Sequence, residues 1–245
     1  MMCEEKNVAV IFAGGSGRRM NAGARPKQFL ELHEKPIIVY TLELFDRHPQ
    51  IDAVYVACIE GWISYMERLV DKYALHKVRA VVVGGETGQD SIFNGLQAAA
   101  EDCKNVDSTV VLIHDGVRPL INAQTISDNI HEARRCGSCI TCVPATETFV
   151  VREADGNINI PSRQDCLIAR APQTFMLGDI LQAHQHARQE GYHNYIDSLT
   201  LMKHYGARIG TVVGPMENIK ITTPTDYFIF KAIVEARENS QIFGI

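Results

Sequence analysis

Four short segments carry the residue types that handle phosphate. The first is residues 13–28, AGGSGRRMNAGARPKQ, directly after an apolar run at Asn7–Ala13. Glycines such as Gly14, Gly15 and Gly17 let a backbone approach a ligand closely and turn its N–H groups toward phosphate oxygens. Arg18, Arg19, Arg25 and Lys27 place four cations within ten residues, a density that suits a triphosphate. The alternative is a solvated basic turn. Two common phosphate motifs do not fit. G-x-G-x-x-G fails because Met20 stands where the third glycine belongs, and the P-loop pattern is absent. A nicotinamide dehydrogenase and a P-loop ATPase therefore both lose ground.

The second segment, Gly84-Gly85-Glu86-Thr87-Gly88-Gln89-Asp90-Ser91, follows a strand pattern and opens a helical one. Backbone groups and Ser91 there suit the edge of a base; a glycine turn with a helix cap is the plainer reading. The third, His114-Asp115-Gly116-Val117-Arg118-Pro119, puts an acid at a strand's carboxyl end. Asp115 suits a magnesium ion beside phosphates and Arg118 an anion, or the two form a structural ion pair. In the fourth, Glu217-Asn218-Ile219-Lys220-Ile221-Thr222 followed by Pro224 and Asp226, Lys220 interrupts apolar residues. A buried lysine must face a ligand or an acid; a strand-edge lysine faces water. No Ser-His-Asp or Cys-His arrangement stands out.

The elements that must position these segments follow from periodicity. Strands are expected at Asn7–Ala13, Ala53–Ile59, Val78–Val83, Thr109–Ile113 and Ser138–Val143. Helices are expected at Pro36–Phe45, Trp62–Tyr73, Ser91–Ala100 with Asp90 as N-cap, and Ala123–Arg135. This alternation predicts one α/β domain over residues 1–245, with a mostly parallel sheet and helices on both faces. Ligands then bind beyond the carboxyl ends of the strands, where the first three segments fall. Residues 145–165 alternate apolar and polar around a turn at Ala154-Asp155-Gly156-Asn157, which predicts a β-hairpin projecting as an arm. Its exposed edge predicts a homodimer. Beyond it come helices near Leu177–Glu190 and from Ser198 after Asp197, strands at Arg208–Val213 and Asn218–Thr222, and a helix from Pro224 to about Asn239.

Composition narrows the class. The chain has 245 residues, 46% hydrophobic and 22% charged, an ordinary globular profile. A net charge of -5 argues against a nucleic-acid partner. The acidic start and the absence of any apolar stretch of about 18 residues predict a cytoplasmic protein with no membrane contact. Seven scattered cysteines are not a disulfide framework. Cys136, Cys139 and Cys142 have a spacing seen in metal sites, but are expected to be a helix end and two core positions. His184 and His186, two apart on a helix, are expected at the surface. Trp62 is expected in the core.

Taken together, AGGSGRRM…PKQFL, GGETGQDS, HDGVRP, ARAPQTF and ENIKITTPTD resemble, in order and spacing, the CTP-dependent cytidylyltransferases that act on polyol phosphates. The resemblance covers nearly the whole chain. It implies a doubly wound, Rossmann-like nucleotidyltransferase fold with the hairpin arm exchanged in a homodimer, CTP and a polyol phosphate as substrates, and Mg2+. It places Ala13, Gly14, Gly84, Gly85 and Ser91 around the cytosine and ribose, with Gly15 and Gly17 in the same nucleotide-binding loop. Arg19 and Lys27 would hold the triphosphate, and Lys220 the reacting phosphates. Asp115 and Arg118 would lie near metal and acceptor, and Arg163 would reach the acceptor across the dimer.

The methylerythritol phosphate enzymes usually carry threonines where this chain has Ala171 and Ile196. Loss of two hydroxyls changes how an acceptor is held. HDGVRPLI, ARAPQTF and ARENSQIFG resemble the ribitol 5-phosphate enzymes, which implies CDP-ribitol as product, feeding a wall or capsule polymer such as teichoic acid. The alternatives are the methylerythritol phosphate reaction, transfer from UTP or ATP, and a non-catalytic nucleotide-binding regulator.

Overall fold

The computed structural model describes residues 5–14, 25–192 and 195–243, with side chains to residue 239. In chain order the first elements are β1 (Asn7–Ala13), β2 (Glu31–Leu32), β3 (Lys35–Pro36), α1 (Ile37–Asp46), β4 (Ala53–Cys58) and α2 (Ile63–Lys72). Next are β5 (Val78–Val83), α3 (Gly88–Asp102), β6 (Val110–Asp115), α4 (Ala123–Cys136), β7 (Ser138–Pro144), β8 (Val151–Arg152) and β9 (Ile158–Asn159). The chain continues through β10 (Leu167–Met176), α5 (Leu177–Gln189), α6 (Ser198–His204), β11 (Gly210–Val213) and α7 (Pro224–Phe243).

A seven-stranded sheet in the order β11-β7-β10-β6-β1-β4-β5 forms the centre. All pairings are parallel except those of β10, which runs antiparallel to β6 and β7. Strand periodicity divides β1 cleanly. Ala9, Ile11 and Ala13 pack with α1, α2 and α4 on one face, while Val8 and Val10 pack with α3, α5 and α6 on the other. A strand buried on both faces must be apolar throughout, which explains the unbroken run in its sequence. The expected doubly wound α/β architecture is therefore present. A third cluster, including Leu32, Val117, Ile221 and Phe230, fastens β2 and β3 and α7 beside the sheet.

Several details differ from the sequence reading. β10 was not expected; its small and polar residues hide the strand period, and its register shifts between Ala169 and Gln173. Asn218–Thr222 alternates like a strand but forms no ladder. Ile219 N–H turns back to Glu217, and Ile221 N–H bonds the Val117 carbonyl at 2.9 Å. The N-cap of α3 is Thr87, not Asp90; the two exchange bonds as a capping box. His184 is buried, not at the surface, and sits 5.6 Å from the Phe93 ring. Trp62 stacks on Phe29 at 4.8 Å against the core. Cys139 and Cys142 are buried on β7. Within residues 145–165, Val151–Arg152 pairs antiparallel with Ile158–Asn159 around the expected turn, and Ala145 N–H bonds the Cys166 carbonyl at 3.1 Å. No helix among the described residues is long and apolar enough to cross a membrane.

Asn129 on α4 locks β10 in place. Its side chain donates to the Thr125 carbonyl and the Thr141 hydroxyl at 2.8 Å each, and accepts from the Thr174 hydroxyl at 3.0 Å. All three side chains are buried. Asn129→Ala leaves two buried hydroxyls without this partner, and an unmade buried bond costs about 1–3 kcal/mol. The urea midpoint should fall accordingly, with the far-UV circular dichroism unchanged; an unshifted midpoint would show that the network is dispensable.

Candidate active site

Three strand ends build the floor of the site. β1 ends at Ala13, β4 at Cys58 and β6 at Asp115, with Ala13 opposite Cys58 and Phe12 opposite Asp115 in the parallel register. Here Gly14 meets the turn after β5. A Cβ on Gly14 would lie within 2.4 Å of the Ser91 hydroxyl, so only glycine lets the two turns touch. Ser91 is itself buried: its hydroxyl accepts from Gly85 N–H and donates to the Thr87 carbonyl, both at 3.0 Å. It fixes the Gly84–Gly85 turn, whose other N–H, that of Gly84, donates to the Cys58 carbonyl at 2.6 Å.

Lys27 lies in a short 3-10 turn, Lys27–Phe29. The neighbouring Gln28 is buried and donates to the Ala13 carbonyl at 2.6 Å, tying that turn to the end of β1. Arg25, one of the four cations of the sequence loop, is engaged elsewhere: it pairs with Glu31 at 2.9 Å and with the Tyr65 hydroxyl at 3.1 Å. Gly15, Gly17, Arg18 and Arg19 lie outside the described residues.

The centre of the site is Asp115. Oδ2 accepts from Arg118 Nε at 2.7 Å and Oδ1 from Lys220 Nζ at 2.6 Å. Burial alone would raise its pKa. The Arg118 and Lys220 charges, and the hydrogen bonds they donate, outweigh burial and hold the carboxyl well below the usual carboxylate range. Arg118 Nη1 also donates to the Asn218 carbonyl at 2.9 Å, and Asn218 Nδ2 donates to the Ala171 carbonyl at 2.7 Å. One buried asparagine thus joins the β6 loop, β10 and the Lys220 segment. Asp226 works as a helix cap, accepting from the Thr222 and Thr223 backbones at 2.8 and 2.7 Å.

Above Asp115 opens a cavity of about 370 Å³. Asp115, Arg118, Lys220, Ala171 and Ile196 all line it, together with Arg170. The first five were singled out in sequence and are here brought together. Arg163 is not among the lining residues; it is exposed and donates to the Thr146 carbonyl at 3.4 Å. Arg170 was missed. A lone arginine between two alanines, in a strand that pairs on both sides, was the available signal.

The chain matches the model of the 2-C-methyl-D-erythritol 4-phosphate cytidylyltransferase (IspD) family over residues 7–236, and it belongs to that family. Within it, the chain is 52% identical to a ribitol-5-phosphate cytidylyltransferase of Streptococcus agalactiae serotype V, over 98% of this chain and 99% of that one. It is 50% identical to the ribitol-5-phosphate cytidylyltransferase of Vibrio parahaemolyticus, over 97% and 100%. The 2-C-methyl-D-erythritol 4-phosphate cytidylyltransferase of Syntrophotalea carbinolica is 40% identical over 92% and 95%. The crystal structure of 4-diphosphocytidyl-2C-methyl-D-erythritol synthase from Anaerococcus prevotii shares the fold, with a TM-score of 0.81 at 24% identity over 94% and 96%.

His114, beneath the site, is fully buried with its Nε2 3.1 Å from the Arg118 carbonyl. Burial pushes its pKa down to about 4, and does the same to His184. Below pH 6.5 the unfolded chain takes up protons that the folded chain refuses, so stability falls as pH drops toward 4 and levels off below. Asp115 is shifted in the same direction, so its contribution is also lost on acidification, but only below the unfolded carboxylate pKa of about 3.9. The thermal midpoint should therefore decline between pH 6.5 and 4.5, and His184→Leu should make the decline shallower. A flat profile would contradict neutral buried histidines.

Proposed function

We propose that this protein transfers CMP from CTP to D-ribitol 5-phosphate, giving CDP-ribitol and pyrophosphate. The reading is carried by the 50–52% identity to two ribitol-5-phosphate cytidylyltransferases over nearly the full chain. Ala171 and Ile196, set in the wall of the charged cavity, support it. The enzyme of the methylerythritol phosphate reaction is the second reading, favoured by the description of the matching family and by relatives of lower identity, 36% and 40%.

An acceptor phosphate oxygen attacks the α-phosphorus of CTP. A new P–O bond forms, the bond to the bridging oxygen of the β-phosphate breaks, and pyrophosphate leaves with the electron pair. The nucleophile is already anionic at neutral pH, so no general base is required. The task is to hold two anions together and stabilise the departing charge, by positioning and fixed positive charge. Lys27, beside the end of β1, holds the triphosphate, and the family resemblance gives Arg19 the same role. Lys220 offsets charge at the α-phosphate. Arg118 keeps Asp115 charged, and its Nη2, which makes no hydrogen bond among the described residues, is available to the acceptor.

Asp115 fits a magnesium ion bound through a single carboxylate. Each oxygen accepts one bond from a cation and so keeps lone-pair capacity, Asp115 lines the cavity, and magnesium would take its remaining ligands from phosphates and water. No group of three or more acidic, His or Cys side chains that could hold a metal occurs among the described residues, so substrate phosphates would supply most of the coordination. The ion would supply further charge at the phosphates.

The segment 145–165 would act as the dimer arm. Val150, Ile158 and Ile160 there are 61%, 65% and 58% exposed, apolar surface that a partner would cover. Arg163 would then serve the partner's acceptor site. A consumer of CTP belongs in the cytoplasm.

Pyrophosphate release from CTP and magnesium should occur with ribitol 5-phosphate and not with methylerythritol 4-phosphate, and UTP or ATP should not replace CTP. Release with methylerythritol 4-phosphate alone would overturn the acceptor assignment. Lys27→Ala should lower kcat about 100-fold with an unchanged thermal midpoint; turnover within a few-fold of wild type would remove Lys27 from the mechanism.

A further inference from the structure

The cavity holds three cations, and their engagements differ. Arg118 is bound through Nε and Nη1, and Lys220 through Nζ. Among the described residues Arg170 makes no ion pair or hydrogen bond from its side chain, and its Nε is buried without a partner. Burial and the neighbouring Arg118 charge both disfavour its charged form. A guanidinium stays protonated in proteins, so an unpartnered one beside a second guanidinium sits where an anion will arrive.

The local chain explains why it points there. Arg170 lies within the register shift of β10, between Ala169 and Gln173, where the regular ladder to β7 is interrupted. The carbonyl of the next residue, Ala171, is taken by Asn218, the residue that also receives Arg118. Arg170 is therefore fixed relative to Arg118 and Lys220 by the same buried link.

The sheet order tells which anion. The glycine turns and Lys27 sit at the ends of β1 and β5, whereas β10 lies on the far side of β6. Residues from β10 and the start of α6, including Ala171, Gln173 and Ile196, form that wall of the cavity. A triphosphate lying over β1 leaves the β6–β10 side for the other substrate.

We infer that Arg170 binds the phosphate monoester of the acceptor, making it a substrate-binding residue of the cavity that complements the Asp115-bound Arg118. This rests on the cytidylyltransferase reading above. It adds a role for a residue that the sequence motifs did not single out.

Steady-state kinetics with CTP and ribitol 5-phosphate varied separately test it. Arg170→Met keeps the aliphatic stem and removes the charge. It should raise the acceptor KM at least 10-fold and leave the CTP KM within about 2-fold. Arg170→Lys, a point charge without the fork, should recover part of the loss. An acceptor KM within 2-fold of wild type, or a CTP KM that rises as much as the acceptor KM, would overturn the assignment. Thermal midpoints of both variants separate these outcomes from misfolding, and if Arg170→Met does not fold, the Arg170→Lys kinetics decide alone: an unchanged acceptor KM rejects the role. If the wild-type enzyme releases no pyrophosphate with either polyol phosphate, the functional reading fails first. Protection against heat by inorganic phosphate then tests Arg170 directly: it should be weaker in Arg170→Met or Arg170→Lys, and equal protection would reject the site.

Discussion

A carboxylate can stay ionised inside a protein only if positive charge is held against it, and Asp115 is held on both oxygens. Arg118 and Lys220 approach it from segments about a hundred residues apart, and Asn218 keeps the first in place while standing two residues from the second. The buried acid would not be tolerable as a charge without these two cations. The result is a cluster with one surplus positive charge, before Arg170 is counted. Anionic substrates complete such a cluster. The rest of the fold can be understood as the means of bringing these three groups to one point.

The sheet does this through a difference in roles among its strands. The parallel strands β1, β4, β5 and β6 end together, so their loops present glycine turns, a helix N-terminus and an acid along one edge. The antiparallel β10 runs back alongside β6 and contributes from within its length, where a register shift breaks the ladder. On the proposed function, nucleotide chemistry would belong to the parallel side, and the second substrate to the boundary with β10. Ala171 and Ile196 belong to that boundary: one is almost fully buried, while the other is 92% exposed at the rim. Neither can donate a hydrogen bond from its side chain, so on the proposed function this part of the wall would select by shape, and the arginines by charge.

Much of this was legible in the sequence because parallel strands buried on both faces are long apolar words, and the segments that follow them are glycine-rich or charged. The strand at Asn7–Ala13, the helix start after Asp197 and the arrival of Asp115 and Arg118 at a strand's carboxyl end follow from such local signals, while Lys220's place beside them followed from the family resemblance. What escaped was what depends on tertiary partners. β10 is rich in small and polar residues whose partners, such as Asn129 and Asn218, lie far along the chain. Asn218–Thr222 has strand-like alternation but spends its backbone on turns and on Val117. His184 looks like a surface residue until α5 is laid against α3, and Arg25 looks like a phosphate ligand until Glu31 and Tyr65 claim it. Periodicity reports which face is apolar; it does not report which polar group a neighbour has already taken.

The central claim is spatial: cytidine over the ends of β1 and β5, acceptor over β6 and β10, and Asp115 with its two cations between them. A crystal structure of the enzyme with CDP-ribitol tests this most directly. The account predicts the cytosine against the Gly14, Gly84 and Gly85 backbone, the diphosphate near Lys220, and the ribitol in the cavity bounded by Arg118, Arg170, Ala171 and Ile196. A cytosine ring lying in that cavity, with the ribitol beside β5, would contradict it.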